Sequence, residues 1–256
     1  MATKTTIIYL TDNELDPKIA DACKFYLLRA ADGSRIVSVS QRPLEFGDNV
    51  CVGEIGRSGL SIDRQLKAGL DVVDTEFTAI AEHDCLYSYE HFAWAPSDRD
   101  IFFYNVNCWL LQYHSDNHPE YDGMYSLYRN RFVQSQLVCG TDVLRRAVDE
   151  KLAILSDPSV IEMWPGRTRL GEPGTNYLHR SRRLFKDPAL LPVWHKVKDY
   201  ITKYNARRFQ TRTPNIDIRH GNNFTGARRG NKRRWSLEPW GSVEDVIGMG
   251  LVGVGK

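Results

Sequence analysis

Thr78-Ala79-Ile80-Ala81-Glu82-His83-Asp84-Cys85-Leu86-Tyr87 is the stretch on which the organisation of the chain turns. The apolar run from Phe77 to Ala81 has the length and composition of a buried strand, and it stops at three polar residues that a core rejects unless they are paired. Such a strand delivers charge to an opening. In an open α/β sheet ligands bind at the carboxyl ends of the strands, and two carboxylates one residue apart can address one hard cation and the phosphates it carries. The plain alternative is a surface turn with solvated acids, because acid-x-acid spacing is common. On strand alternation His83 points away from its two neighbours and reads as structural.

Outward from this stretch, strands and helices alternate. Thr5 to Leu10 is apolar and β-branched enough for a central parallel strand, and it stops at Thr11-Asp12-Asn13. Asp16-Pro17 then opens a helical pattern through Ile19, Cys23, Tyr26 and Leu27 to Ala31, with Asp16 as cap, and Arg35 to Ser40 follows as a second strand. A short strand near Asn49 to Val52, a helix from Ser61 to about Ala68 or Asp71, and the strand into Glu82 complete a βαβ pattern. Its crossovers are right-handed by rule. Further on, Ile101 to Leu111 returns to strand character, and Leu137 to Gly140 reads as a strand end before a helix from Thr141 to about Leu155. Leu190 to Tyr204 is helical, Ile216 to Ile218 is a short strand, and the Gly-rich end from Val243 to Lys256 reads as loosely packed.

Gly59-Leu60-Ser61-Ile62-Asp63-Arg64-Gln65, then Gly69-Leu70, then the strand into Glu82-His83-Asp84, resembles the first half of the GT-A glycosyltransferases, especially the family-2-like ones. In that family a Gly/Ser-led helix bearing an Arg precedes a strand ending in Asp-x-Asp. The resemblance covers about residues 3 to 150. It departs from the pattern at Glu82, where Asp is usual, at Gln65, where Asn is common, and in the missing acid after the second strand. It implies an α/β, GT-A-like and Rossmann-like fold, with a mixed, mostly parallel sheet flanked by helices. It further implies a nucleoside diphosphate sugar donor such as a UDP-sugar and a Mn²⁺ or Mg²⁺ cofactor. By this likeness Asp84 would hold the ion and His220 would complete its shell as the late histidine. Thr11, Asn13, Arg64 and Glu82 would line the nucleotide and sugar. A divalent ion would act as a Lewis acid on the leaving diphosphate. Glu162 or Glu172, in a turn-rich region, or Asp142, beneath the acceptor, are the candidate bases; Asp142 also suits a helix cap.

Composition adds a partner. The 256 residues carry a formal charge of +2, yet His179 to Arg234 holds 16 Lys and Arg against three acids, a balance of +13. The rest of the chain holds 18 basic and 29 acidic residues, or −11. A basic excess confined to one segment is the footprint expected for a polyanion. Arg228, Arg229, Lys232, Arg233 and Arg234 could close over diphosphate or track a nucleic-acid backbone. The domains therefore read as 1–178, donor-binding and catalytic, and 179–256, a basic C-terminal extension that binds the acceptor.

Five cysteines without a Cys-x-x-Cys argue against a zinc site or a disulfide framework, and they are expected to be reduced and buried. No apolar run approaches the roughly 18 to 20 residues of a membrane span, and the first residues lack a secretory apolar core, which points to a cytoplasmic protein. The leading expectation is a metal-dependent glycosyltransferase whose acceptor is plausibly a hydroxymethylated base in DNA, flipped from the stack to be reached. A carbohydrate or lipid acceptor, and a non-catalytic nucleic-acid-binding protein, are the competing readings. Aromatics between Tyr89 and Trp94 could stack on a sugar or only pack, and His114-Ser115-Asp116-Asn117-His118 suits a loop better than a metal site.

Overall fold

The computed structural model of the chain describes residues 5–113, 122–128, 132–163, 170–174, 191–223 and 232–249. Twelve strands and seven helices are found among them, in the order β1 (Thr5–Thr11), α1 (Pro17–Ala31), β2 (Ile36–Ser40), β3 (Asp48–Cys51), α2 (Gly59–Asp71), β4 (Phe77–Glu82), β5 (Cys85–Leu86) and α3 (Tyr89–Ala93). There follow β6 (Ile101–Asn105), β7 (Cys108–Gln112), β8 (Tyr125–Leu127), β9 (Leu137–Gly140), α4 (Thr141–Leu155), α5 (Pro158–Met163), α6 (Leu191–Lys203), β10 (Asn205–Phe209), β11 (Asn215–Arg219), β12 (Arg233–Arg234) and α7 (Val243–Met249).

The larger sheet has the order β10-β6-β9-β4-β1-β2-β3. β1, β2, β3 and β4 are mutually parallel, and β9 runs against both β4 and β6. This is the mixed, mostly parallel sheet with flanking helices that the sequence resemblance implies. Period two sorts its side chains. Ile8, Leu10, Val37, Val39, Ile80, Phe102 and Tyr104 join one core with residues of α2, α4 and α6. Ile7, Tyr9, Ile36, Ala79, Ala81, Ile101 and Phe103 face the other way, against Leu27, Ala30 and Ala31 of α1.

A second sheet, β12-β8-β7-β11-β5, buries Leu86, Trp109, Leu111, Ile216 and Ile218 against α1 and α7. The expected single strand from Ile101 to Leu111 is two strands in different sheets, because Val106-Asn107 breaks the run and Asn107 turns to bond the 211–212 backbone. The boundary at residue 178 lies outside the described residues. Beyond it the basic segment contributes β10, parallel to β6, and β11, between β7 and β5. The expected loose end is in part a packed helix: Val246 and Ile247 of α7 are buried, whereas residues 250–256 lie outside the described residues. All five cysteines are free, and Cys51 is exposed where burial was expected, since β3 is an edge strand.

α2 lies close on the sheet because Gly69 allows it: a Cβ there would stand 2.9 Å from methyl groups of Ile8 and Val39. The same helix carries a buried charge. Asp63 meets Lys151 of α4 at 2.8 Å, with side chains 2% and 8% exposed. Removing one partner of a buried pair strands the other, which costs about 3–5 kcal/mol, whereas replacing both by apolar groups is often neutral. Asp63→Ala should therefore lower the unfolding free energy measured by urea titration by that amount, and Asp63→Leu combined with Lys151→Met should recover most of it. Equal losses in the single and double variants would show that the pair is not what holds α2 to α4.

Candidate metal and nucleotide site

The parallel register brings the carboxyl ends of three strands to one edge: Leu10 pairs with Glu82 and Thr11 with Ser40. Polar side chains fasten these ends where ladder bonds run out. Gln65 of α2 donates to the carbonyls of Thr11 and Val39, at 2.7 and 3.1 Å. Asn13, at φ 62°, accepts from the amides of Gln41 and Arg42. Gln41 in turn holds the amides of Ile55 and Gly56 and so positions the loop that leads into α2. Ser58 caps that helix, accepting from the Ser61 amide at 3.0 Å. A cleft of about 100 Å³ opens here, lined among others by Thr11, Asp12, Arg57, Glu82, His83, Asp84 and His220.

Asp84 is the centre. Its Oδ2 accepts from Asn223 Nδ2 at 2.9 Å and lies 3.5 Å from His220 Nε2. The turn that brings both partners is fixed by the His220 amide, which donates to Asn223 Oδ1. Burial opposes the charge on Asp84, but the His220 hydrogen bond and the nearby His83, His220 and Arg219 outweigh it and hold the carboxyl well below the usual range. Glu82 ends β4 at the cleft wall, its backbone amide donating to the Tyr87 hydroxyl.

His83 corrects the expectation drawn from strand alternation. The strand ends at Glu82, so alternation no longer applies, and the turn carries the imidazole into the cleft. Its Nδ1 lies 2.9 Å from Thr11 Oγ1, and burial pushes its pKa down despite the neighbouring Asp84 and Asp12. One ligating atom each of His83, Asp84 and His220 fits within 4.8 Å of the others, as do those of Glu82, Asp84 and Cys85. Burial holds the Cys85 thiol well above its usual pKa, which makes the second set a poor one. The first set offers a divalent ion two imidazole nitrogens and a carboxylate oxygen, a donor set that fits it.

The other expected residues divide. Thr11 is at the cleft, as the hydroxyl behind His83; the Asn13 side chain is committed to the β2 end. Arg64 is exposed and does not line the cleft, because its neighbours Asp63 and Gln65 on the helix take the buried positions. Arg57, one residue before the cap, occupies the cleft instead: it donates to Asp12 Oδ2 at 2.5 Å and to the Asn222 carbonyl at 2.7 Å. Its signal was its place before the capping serine. Asp142 is exposed, paired with Arg145, and follows Gly140, which pairs with Phe77. That is the far end of β4, roughly 17 Å of strand from Glu82. Glu162 is exposed on α5, and Glu172 borders a separate small cavity with Asp63, Lys151 and Tyr200.

The sequence offered no marker for Asp217, a buried acid on β11 whose Oδ2 accepts from Arg219 and whose Oδ1 has no hydrogen-bond partner among the described residues. Burial, against the pull of Arg219, pushes its carboxyl up to about 6. Lys232, Arg233 and Arg234 are exposed; Arg233 pairs with Asp122, and Arg234 lies over the Trp109 ring. Arg228, Arg229 and the 114–118 stretch lie outside the described residues. Trp94 stacks on Phe209 at 4.1 Å, so this ring packs.

Hydrogen bonds to a charged group contribute about 1.5–3 kcal/mol, so Arg57→Ala should weaken pyrophosphate binding roughly tenfold or more in calorimetry, while Arg64→Ala leaves it unchanged. The reverse result would return the anion contact to Arg64.

No protein-family model matches the chain, and no curated protein matches it in sequence. Among solved structures, it is similar to the bifunctional IspDF of Campylobacter jejuni, at 15% identity over 64% of this chain and 48% of that one, with a TM-score of 0.34. It is also similar to a mutant Drosophila β1,4-galactosyltransferase 7 in complex with manganese, UDP-Gal and xylobiose, at 13% identity over 56% of this chain and 51% of that one, TM-score 0.33. A third is a glycosyltransferase involved in glycosylation of the major capsid of PBCV-1, at 10% identity over 83% and 91%, TM-score 0.40. The chain spans about half the length of the first two.

Proposed function

We propose that the chain is a metal-dependent glycosyltransferase that moves a sugar from a nucleoside diphosphate sugar to a hydroxyl acceptor. The observation that carries this reading is the convergence of Asp84, His220 and His83 at the carboxyl ends of parallel strands, beside Arg57 and the amino end of α2. Asp84 and His220 would hold the ion, which when bound neutralises the leaving diphosphate as a Lewis acid. Arg57 and the α2 amides offer the same anion further donors. Glu82, at the cleft wall, would contact the ribose or sugar hydroxyls. A cleft of about 100 Å³ takes an ion and a phosphate group. A whole nucleotide sugar needs the roughly 300 Å³ or more of an ordinary ligand pocket, so part of the donor lies along the open face.

The acceptor is a second question. The charge segregation favours a polyanion, and a hydroxymethylated base in DNA is the version that also offers a hydroxyl. A saccharide acceptor is favoured by the engagement of Arg233 and Arg234 within the fold.

Incubating the protein with Mn²⁺, a panel of nucleotide sugars, and either hydroxymethylated DNA or oligosaccharides should release nucleoside diphosphate and label one acceptor class. Asp84→Asn should reduce release by at least about 100-fold with unchanged circular dichroism, and EDTA should do the same to the native protein. Label on saccharide alone would remove DNA. No release from any donor with any divalent ion would overturn the reading.

A further inference from the structure

We propose that His83, the middle residue of the acidic tripeptide, is itself a metal ligand, and that the site is a two-imidazole, one-carboxylate set selective for first-row transition ions over Mg²⁺. This rests on the metal-dependent reading above and extends it to a ligand and an ion preference. An acid-x-acid motif by spacing alone puts its outer carboxylates on a hard ion and leaves the middle residue out. Here the turn after β4 reverses that. His83 joins Asp84 and His220 in one cluster, with one ligating atom of each within 4.8 Å of the others.

The distance between Asp84 and His220 suits a shared ion. With metal–nitrogen bonds of about 2.1 Å, neighbouring donors in a shell lie about 3.0–3.4 Å apart, and His220 Nε2 and Asp84 Oδ2 are at 3.5 Å. A metal-bound histidine is normally oriented by a partner on its other ring nitrogen. Thr11 Oγ1 stands in that position at His83 Nδ1, at 2.9 Å, and is itself fixed by the Asn13 amide at 3.0 Å, which leaves Nε2 for the ion. For His220 to bind through Nε2 its proton must sit on Nδ1; the contact there, from the Asn222 amide at 3.3 Å, is long and readily given up. Imidazole nitrogen suits the later first-row ions such as Co²⁺, Ni²⁺ or Zn²⁺, whereas Mg²⁺ prefers oxygen and keeps its waters.

The test is ion binding to the whole protein without donor or acceptor. Calorimetry should find Co²⁺ bound roughly 100-fold more tightly than Mg²⁺. The visible band of bound Co²⁺ should carry the intensity of nitrogen ligation. His83→Ala should weaken Co²⁺ and Mn²⁺ binding roughly ten- to hundredfold and change the band, while Thr11→Val, which keeps the imidazole, should give a smaller loss and retain the band. Should the alanine variant not fold by circular dichroism, His83→Gln must show the same loss. Native affinity and an unchanged band in the folded His83 variant would overturn this proposal and leave the metal-dependent reading standing. Equal affinities for Mg²⁺ and Co²⁺ would also overturn it. No ion bound by the native protein would overturn both.

Discussion

The buried negative charge of Asp84 is the constraint around which the molecule is arranged. An ionised carboxylate removed from water is tolerated only when other groups replace the hydration it loses. The chain supplies that replacement from distant places: His83 from the adjoining turn, and His220 and Asn223 from a turn 136 and 139 residues further on. β11 must therefore run beside β5, where the Ile218 amide donates to the Asp84 carbonyl at 2.8 Å. The second sheet is the device that delivers the late histidine to the early carboxylate.

A similar economy governs the strand ends. Backbone groups at a carboxyl edge lose their ladder partners, and in this protein buried amide side chains take over the bonds. Gln65, Asn13 and Gln41 each join two segments, so their hydrogen bonds help to hold the loop that carries Arg57 and the cap of α2 against β1 and β2. Gln65 is long enough to reach two carbonyls at once, those of Thr11 and Val39.

The basic residues have a structural reading as well. β10 and β12 are edge strands of the two sheets, and Arg207, Arg208, Arg233 and Arg234 project from them exposed. Charge on an edge discourages pairing with another chain. Arg208 lies over Phe132 and Arg234 over Trp109, so each also covers an aromatic ring.

By itself the sequence determined the local and periodic features. The Asp16 cap, the bounds of α1, α2 and α4, and the run of strands into the acidic end at Glu82-His83-Asp84 were legible, because caps, hydrophobic period and an acid at a strand end act within a few residues. Tertiary structure alone decided what depends on where a chain turns or which distant segment arrives. His83 faces the cleft because the strand ends one residue before it. Arg57 replaces Arg64 because the buried face of α2 is taken by Asp63, paired with Lys151 88 residues away, and by Gln65. Asp142 falls at the opposite end of the sheet because β9 runs antiparallel to β4, and strand direction is a property of pairing between segments, which no single segment encodes.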